Sequence, residues 1–250
     1  MIASAGGNVA IVTGAARNIG RQIALALARD GAAVVVNARG DHAGAEETAH
    51  LIGQGGGQAL VHLANVADET AVAGLVADTA SRFGPPTILV NNAALRRQRP
   101  FTELALEEWR EVMAVNLEAA FLCARACIPH MLAAGRGRIV NIGGKSAHGG
   151  ASQRAHVVAS KAGLVGLTKA LATEFGKSGI TANCLVPGDV GTLRGASAGP
   201  AAQHAGGGSN LIGRDGRPEE IAAMVAMLCR PEAAYTTGQT IHVNGGGYLP

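Results

Sequence analysis

Residues 9–20 read VAIVTGAARNIG, an apolar run followed directly by a turn that contains two glycines. The run Val9 to Thr13 predicts a buried strand, and the pattern from Asn18 to Arg29 predicts a helix. Gly14 permits a tight turn with close backbone approach, and Gly20 lets the helix pack against the sheet. Such a turn points backbone amides and the positive end of the helix dipole at one place, where a pyrophosphate binds. The stretch therefore predicts a dinucleotide site.

The alternation of strand and helix continues along the chain. A second apolar run, Ala33 to Val36, follows the first helix. Further strands are predicted near residues 58–63, 87–91, 138–142, 180–186 and 240–243. Further helices are predicted near residues 43–53, 68–82, 107–133, 156–175 and 218–229. Apolar strands separated by helices are typical of a parallel sheet covered on both faces, so we expect one α/β domain over residues 1–250 with a doubly wound, seven-stranded sheet.

Composition narrows the class of protein. The 250 residues are 48% hydrophobic and 16% charged, which suits one large core. The mean hydropathy of +0.20 is high, but Gly, Arg, Asp or Asn interrupts each apolar run before the ~20 residues that a membrane span needs. The amino terminus MIASAGGNVA lacks the basic region and long apolar stretch of a secretory signal. We therefore expect a cytoplasmic protein with no membrane partner.

Charge and cysteine content exclude other classes. The net charge is +3, the one basic cluster is RRQR at residues 96–99, and aromatic residues are 3% of the chain, so nucleic acid is not an expected partner. The chain has four scattered cysteines, at positions 123, 127, 184 and 229. They are too few for a disulfide scaffold and lack partners at metal-ligand spacing, so we expect buried free thiols and no metal site.

One segment breaks the alternating pattern. Residues 195–210, GASAGPAAQHAGGGSN, are rich in Gly, Ala and Ser and have no periodicity. The segment follows the carboxyl end of a predicted strand, where folds of this kind bind ligands. We therefore expect a substrate lid at about residues 193–215 and a small-molecule substrate, with a mobile insertion of no function as the alternative.

Several motifs in order resemble those of the short-chain dehydrogenase/reductase family. The family's TGxxxGxG turn is matched by Thr13, Gly14 and Gly20, with Asn18 in place of the middle glycine, and Asn tolerates a left-handed backbone. NNAA at 91–94, VN at 115–116 and PGDVGT at 187–192 resemble further family motifs. So do GRDGRPEEIA and TGQTIHVNGG near the carboxyl end. The resemblance implies a Rossmann fold and an oxidoreductase that acts on a carbonyl/alcohol pair, nearest to the 3-oxoacyl-carrier-protein reductases.

The resemblance also implies which residues bind the cofactor. These residues are Thr13, Gly14, Arg17, Asn18, Ile19, Gly20, Arg39, Asn65, Val66, Asn92, Ala93, Lys161, Pro187, Gly188, Val190 and Thr192. An NAD site has a carboxylate after the second strand, whereas an NADP site has cations for the 2′-phosphate. Here Ala38 stands at the acidic position, and Arg39 and Arg17 supply positive charge. We therefore expect NADP, with NAD as the alternative and both arginines then ordinary surface residues.

The expected catalytic centre departs from the family pattern. The family uses Ser to hold the substrate oxygen, Tyr as acid and base, Lys to lower the pKa of the Tyr and bind ribose, and Asn to hold a water relay. Alignment with the family motifs without a gap places Gly144 at the Ser position and Val157 at the Tyr position. Asn116 and Lys161 remain at theirs. The side chains that would hold the substrate oxygen and exchange its proton, the family's Ser and Tyr, are therefore expected to be missing.

Side chains that could replace the missing Ser and Tyr lie in residues 143–161, GGKSAHGGASQRAHVVASK. His156 is the best substitute in kind because histidine exchanges protons near neutral pH, although adjacent helix positions point about 100° apart. It is predicted as catalytic, with a substrate-orienting role or a surface position at the helix start as alternatives. Lys145 and Ser146 are weaker candidates, and Arg154 is a candidate partner for an anionic substrate or else a solvated side chain.

Two classes of function remain open. The first is an NADP-dependent oxidoreductase with a rebuilt proton-transfer system. The second is a non-catalytic dinucleotide-binding protein, such as a subunit or sensor. In either case we expect a homo-oligomer, a tetramer of the family kind, because the helices at 107–133 and 156–175 are apolar around much of their circumference.

Overall fold

A single parallel sheet forms the centre of the molecule. The computed structural model describes residues 7–192 and 210–250. Within them seven strands lie in the order β3-β2-β1-β4-β5-β6-β7, and each pairs in parallel with its neighbours. The strands are β1 Val9–Val12, β2 Ala33–Ala38, β3 Ala59–Leu63, β4 Ile88–Asn91, β5 Gly137–Ile142, β6 Ile180–Pro187 and β7 Thr240–Val243. The strand order reverses between β1 and β4, and this reversal creates the crevice where such sheets bind ligands.

Helices cover both faces of the sheet. They are α1 Asn18–Arg29, α2 His42–Gln54, α3 Glu69–Phe83, α4 Leu106–Met113, α5 Ala119–Ala133, α6 Ser146–Gly149, α7 Ala155–Phe175 and α8 Pro218–Cys229. A π-helical turn, Ala114–Glu118, joins α4 to α5. Short 3₁₀ turns lie at Phe101–Glu103, Gly176–Ser178 and Pro231–Ala233.

The strands divide the core into two layers because successive side chains point to opposite faces. On one face Val12 and its neighbours pack against α1, α2 and α8. On the other face Ile11 and its neighbours pack against α3, α5 and α7. All seven strands except β3 and β7 are largely buried on both faces, which explains their nearly continuous apolar sequences.

The predicted fold class is confirmed, and the predicted elements lie within about two residues of the observed ones. The predicted helix at 107–133 is wrong in one respect, because the π turn interrupts it around Asn116. The helix α6 was not predicted, since four residues are too short to show a period. The predicted lid at 193–215 lies largely outside the described residues, and only its end from Asn210 onward is within them. The four cysteines are free and buried, as expected.

One continuous helical stretch within the described residues, Leu106–Ala133, has the length and hydropathy of a membrane span. Length and composition do not separate such a span from a core helix. In this fold the stretch comprises α4, the π turn and α5. Cys123, Cys127 and Met131 are buried against the sheet, and this packing accounts for the apolar composition.

Candidate active site

The glycine turn after β1 has the geometry that its sequence predicts. Gly14 has φ +62°, and Asn18, at the family's middle glycine, has φ +53°, so the asparagine adopts the left-handed backbone. A β-carbon on Gly20 would lie 2.2 Å from the carbonyl oxygen of Gly14, so no other residue fits there. The first hydrogen bond of α1 runs from Arg21 N to Arg17 O. The backbone amides of residues 18–20 therefore belong to the first turn of α1, at the positive end of the helix dipole.

Thr13 connects this turn to the end of β4. Its hydroxyl accepts hydrogen bonds from the backbone N–H groups of Asn92 at 2.9 Å and Ala93 at 3.0 Å. The Asn92 amide donates in return to the carbonyl oxygens of Thr13 and Gly14 at 2.9 and 3.0 Å. The structure thus brings together the predicted cofactor residues of β1 and β4.

The end of β2 lacks a carboxylate at the predicted ribose position. Ala38 is buried there, and Arg39 follows it with an exposed side chain. The other predicted cation, Arg17, lies with its Nε 3.5 Å from a carboxylate oxygen of Asp41. Arg39 forms no ion pair within the part of the chain that the structure describes, so it is the cation more available to a phosphate.

Two further predicted segments border the crevice. Val66 is buried beside the crevice, and the exposed Asn65 uses its side-chain oxygen to accept from Ala67 N at 3.2 Å. After β6, a β-carbon on Gly188 would lie 2.7 Å from Cα of Asn244, so the glycine permits a close backbone approach. The remaining predicted residues of this loop are Pro187, which ends β6, Val190, which bridges to Gly216, and Thr192, the last described residue before the gap.

Asn116 lies in the π turn and is almost fully buried. Its side-chain oxygen accepts from Leu95 N at 2.7 Å, and its amide donates to Leu95 O at 3.0 Å and to Ser160 Oγ at 3.1 Å. The π turn widens the helix locally, a feature that occurs often at functional sites. Asn116 thereby clamps the loop after β4 to helix α7.

Lys161 is buried on the same side of the sheet. Its ammonium donates to the carbonyl oxygen of Ile142 at 2.6 Å. Its pKa is lowered from 10.5 to about 8, mainly by burial and also by the positive charge of Arg96, while Cys184 acts in the opposite direction. The pKa of Cys184 is raised to about 11, mainly by burial, so this thiol stays protonated near neutral pH.

Gly144 lies beside Lys161 and Ser146, and a side chain at this position would make only ordinary contacts. A β-carbon on Gly144 would lie 3.8 Å from Cγ of Lys161 and 4.0 Å from the hydroxyl oxygen of Ser146. Ser146 is half-buried at the start of α6. Val157, at the predicted Tyr position, is buried against Leu95 and Val112.

His156 is fully buried and faces α4. Its Nε2 lies 3.6 Å from Oε1 of Glu108, beyond hydrogen-bond distance, and the second oxygen of Glu108 accepts from Arg99 at 3.2 Å. Burial lowers the pKa of His156, and the Glu108 carboxylate partly opposes this shift. His156 is therefore neutral near pH 7, and its catalytic role stays a prediction.

The structure adds contacts that the sequence did not indicate. The Lys145 ammonium pairs at 2.6 Å with the carboxylate of Asp189, joining the loops after β5 and β6. Ser160 holds Asn116 and donates to Val157 O at 2.9 Å. Its position directly before Lys161 is the only sequence signal that could have identified Ser160.

Comparison with known proteins extends over nearly the whole chain. A family model described as "Enoyl-(Acyl carrier protein) reductase" matches residues 14–247. The chain is 38% identical over 244 residues to the 3-oxoacyl-[acyl-carrier-protein] reductase FabG of Vibrio cholerae serotype O1, covering 97% of this chain and 98% of that one. It is 39% identical over 241 residues to the 3-oxoacyl-[acyl-carrier-protein] reductase of Synechocystis sp., covering 95% of this chain and 96% of that one.

A solved structure is similar in three dimensions. A dehydrogenase/reductase from Sinorhizobium meliloti 1021 superposes with a TM-score of 0.90 at 34% sequence identity, covering 97% of this chain and 96% of that chain. The similarity therefore includes the strand order as well as the sequence motifs.

Proposed function

This chain belongs to the short-chain dehydrogenase/reductase family of oxidoreductases, and on that premise we propose that it is an NADP(H)-dependent carbonyl reductase with a rebuilt group at the substrate oxygen. Both similar proteins are named 3-oxoacyl-[acyl-carrier-protein] reductases, which makes a ketone the first substrate class to test. We further propose a cytoplasmic location, in keeping with the sequence-based expectation.

The crevice between β1 and β4 fits a nicotinamide dinucleotide. The amino-terminal end of α1 and the close approach at Gly20 suit a pyrophosphate. The exposed side chain of Arg39 suits a 2′-phosphate. Residue 38 is an alanine, so the site has no carboxylate there that would favour an unphosphorylated ribose. Lys161 and Asn92 are the residues that would hold the nicotinamide half. When bound, the cofactor supplies the hydride.

The observation that most directly supports a rebuilt centre is the position of the Ser146 hydroxyl. Its oxygen is 4.0 Å from where the β-carbon of a side chain at position 144 would lie, and Cγ of Lys161 is 3.8 Å from the same point. We assign Ser146 to donate a hydrogen bond to the substrate carbonyl oxygen. We assign Lys161, with a pKa of about 8, as the source of the proton that converts this oxygen to a hydroxyl. Asn116 keeps the surrounding backbone in place. His156, which faces Glu108, has no proton-transfer role in this proposal.

The second candidate function is a dinucleotide-binding protein without catalysis. It is favoured by the sequence alignment that predicts Val157 at the family's Tyr position, because a valine side chain cannot donate a proton. The two candidates differ in one measurable property, the turnover of NADPH with a carbonyl substrate.

The experiment is an assay of NADPH oxidation with a panel of ketones and 3-oxoacyl thioesters, together with titration of NADPH binding. We expect slow but saturable turnover. Ser146→Ala should lower kcat by roughly tenfold to a hundredfold, because an oriented hydrogen-bond donor is lost, with unchanged NADPH binding. The double change Gly144→Ser with Ser146→Ala should recover part of the loss, since a side chain at 144 has only ordinary contacts.

Gly144→Ser alone is the matched control, and it should fold and bind NADPH as the natural chain does. Tight NADPH binding with no turnover of any substrate would support the non-catalytic candidate. Turnover that is insensitive to Ser146→Ala would contradict the assignment of this hydroxyl.

A further inference from the structure

Three aromatic rings form a cluster at helix α6. They belong to His148 in α6, His242 in β7 and Tyr248 in the turn after β7. The ring centroids of the two histidines are 4.6 Å apart, and the Tyr248 centroid lies 5.6 Å from that of His148 and 5.2 Å from that of His242. Aromatic pairs at such separations attract each other. The cluster therefore connects α6 to two later parts of the chain.

The buried nitrogen atoms of these rings have no hydrogen-bond partners. Nε2 of His148 and Nδ1 of His242 are both buried, and neither is paired within the described residues. Burial lowers the pKa of His242, as does the neighbouring His148, so His242 is uncharged near neutral pH. The rings therefore contact one another as uncharged aromatic groups, and a ring without these nitrogen atoms would lose no hydrogen bond.

The turn after β7, residues 244–248, has a defined shape. The Asn244 side chain accepts from Gly246 N at 2.9 Å and donates to Tyr248 O at 2.9 Å. The backbone N–H of Gly247 donates to Asn244 O at 3.0 Å. A β-carbon on Gly149 would lie 4.0 Å from Cδ2 of Tyr248, so this ring lies beside the end of α6.

Helix α6 has four residues and depends on contacts with the rest of the chain. A single helical turn is not stable alone, because too few hydrogen bonds form to offset the ordering of its backbone. Its start is held by the ion pair between Lys145 and Asp189 at 2.6 Å, and its end by the ring of His148. Ser146 lies between these two anchors. The place of its hydroxyl is therefore set from both ends of the helix.

We propose that His148 and Tyr248 are positioning residues. With His242, their rings hold α6 and thereby keep the Ser146 hydroxyl where it donates to the substrate oxygen. The role of Ser146 is that of the proposed function, on which this inference rests. A misplacement of about 1 Å can lower the rate of a reaction about a hundredfold, so loosening α6 should lower kcat. NADPH binding in the crevice between β1 and β4 should change little.

The test measures kcat, KM and NADPH binding in the NADPH oxidation assay. Tyr248→Ala and His148→Ala should each lower kcat about tenfold, with little change in the KM and the binding of NADPH. Tyr248→Phe and His148→Phe should keep most of the rate, because an aromatic ring remains and the buried Nε2 of His148 has no partner to lose. Tyr235→Ala is the matched control, since Tyr235 is the other tyrosine of the chain and is fully exposed.

A double substitution determines whether the rings act through Ser146. In the Ser146→Ala chain the positioned hydroxyl is already absent, so adding Tyr248→Ala should lower kcat no further. An equal loss of kcat with and without Ser146, or a natural kcat in Tyr248→Ala, would overturn the proposal and leave the reductase function standing.

Hydrogen exchange gives a measurement that needs no turnover. The backbone amides of residues 147–150 should exchange faster in Tyr248→Ala and in His148→Ala than in the natural chain or in Tyr235→Ala. Unchanged exchange in both variants would overturn the proposal whatever the activity. If no substrate reacts, the reductase function fails, and faster exchange then supports the role of the rings in holding α6.

Discussion

Lys161 is the residue whose environment has the clearest chemical consequence. An ammonium group that is removed from water loses its proton more readily, and burial together with Arg96 brings the pKa of Lys161 to about 8. The group is therefore mainly charged at pH 7 and mainly neutral above pH 8. A proton donor works best when its pKa lies near the working pH, and Lys161 satisfies this condition.

The first prediction follows from this pKa. For carbonyl reduction, kcat/KM for NADPH should fall as the pH rises through about 8, because the Lys161 ammonium is lost in the free enzyme. Lys161→Gln should have a low kcat/KM that does not fall further in this range.

The folded chain binds fewer protons at Lys161 than the unfolded chain between pH 8 and 10.5, so this residue's contribution to stability rises with pH there. Loss of activity in that range without loss of folded signal is thus the expected result, and an unchanged profile in Lys161→Gln would contradict it.

Individual residues also show which features of the site could be predicted from the sequence and which could not. The left-handed backbone of Asn18 was predictable, because the local motif requires it and asparagine tolerates it. The burial of His156 against Glu108 was not, since the partner lies on another helix far away in the chain. The hydrogen bond from the Lys161 ammonium to the carbonyl oxygen of Ile142 could likewise not be predicted. Local conformation follows from short motifs, whereas side-chain partners depend on how distant elements pack.

Among the elements, the β1 to α1 turn was predicted most completely, whereas β2 extends two residues beyond the predicted run. Strand, glycine turn and helix are specified by neighbouring residues, so their boundaries follow from the sequence itself. The π turn at Ala114–Glu118 escaped prediction because an inserted residue changes the helix without changing its apolar character. The turn nevertheless directs Asn116 to Leu95, so the least predictable element positions a predicted site residue.

The second prediction concerns the end of β2. Arg39 is exposed without an acidic partner in the described structure, whereas Arg17 has Asp41 nearby. Arg39→Ala should therefore weaken NADPH binding about tenfold and leave NADH binding nearly unchanged, because a charge-assisted hydrogen bond to the 2′-phosphate is lost. Titration of both cofactors checks this. Arg17→Ala is the control and should have the smaller effect. Equal affinities for the two cofactors in the natural chain would refute the NADP preference.

At the scale of the whole molecule, two helices leave apolar surface uncovered. On α5, Phe121 and Leu132 are 46% and 44% exposed. On α7, the exposed positions Ala162, Gly166 and Ala170 are spaced by four residues and share one face. Small residues permit close approach of another helix, and exposed apolar surface of this kind favours association. Within the described structure, neighbouring helices of the same chain do not cover these residues.

The last prediction is that the chain forms a homotetramer through these helices. Light scattering should give four times the 25.1 kDa mass of one chain at micromolar concentration. Gly166→Arg should lower this mass, because a β-carbon there meets no atom of the described residues within 4 Å, so the long charged side chain is expected to disturb mainly a neighbouring subunit. Gly74→Arg is the matched control, since Gly74 lies on helix α3, is exposed and is equally free of contacts. Both substitutions remove a helical glycine and add one charge, so their effects within a chain are comparable. A tetramer in Gly74→Arg with smaller species in Gly166→Arg places the interface on α7, whereas a monomer in the natural chain contradicts the prediction.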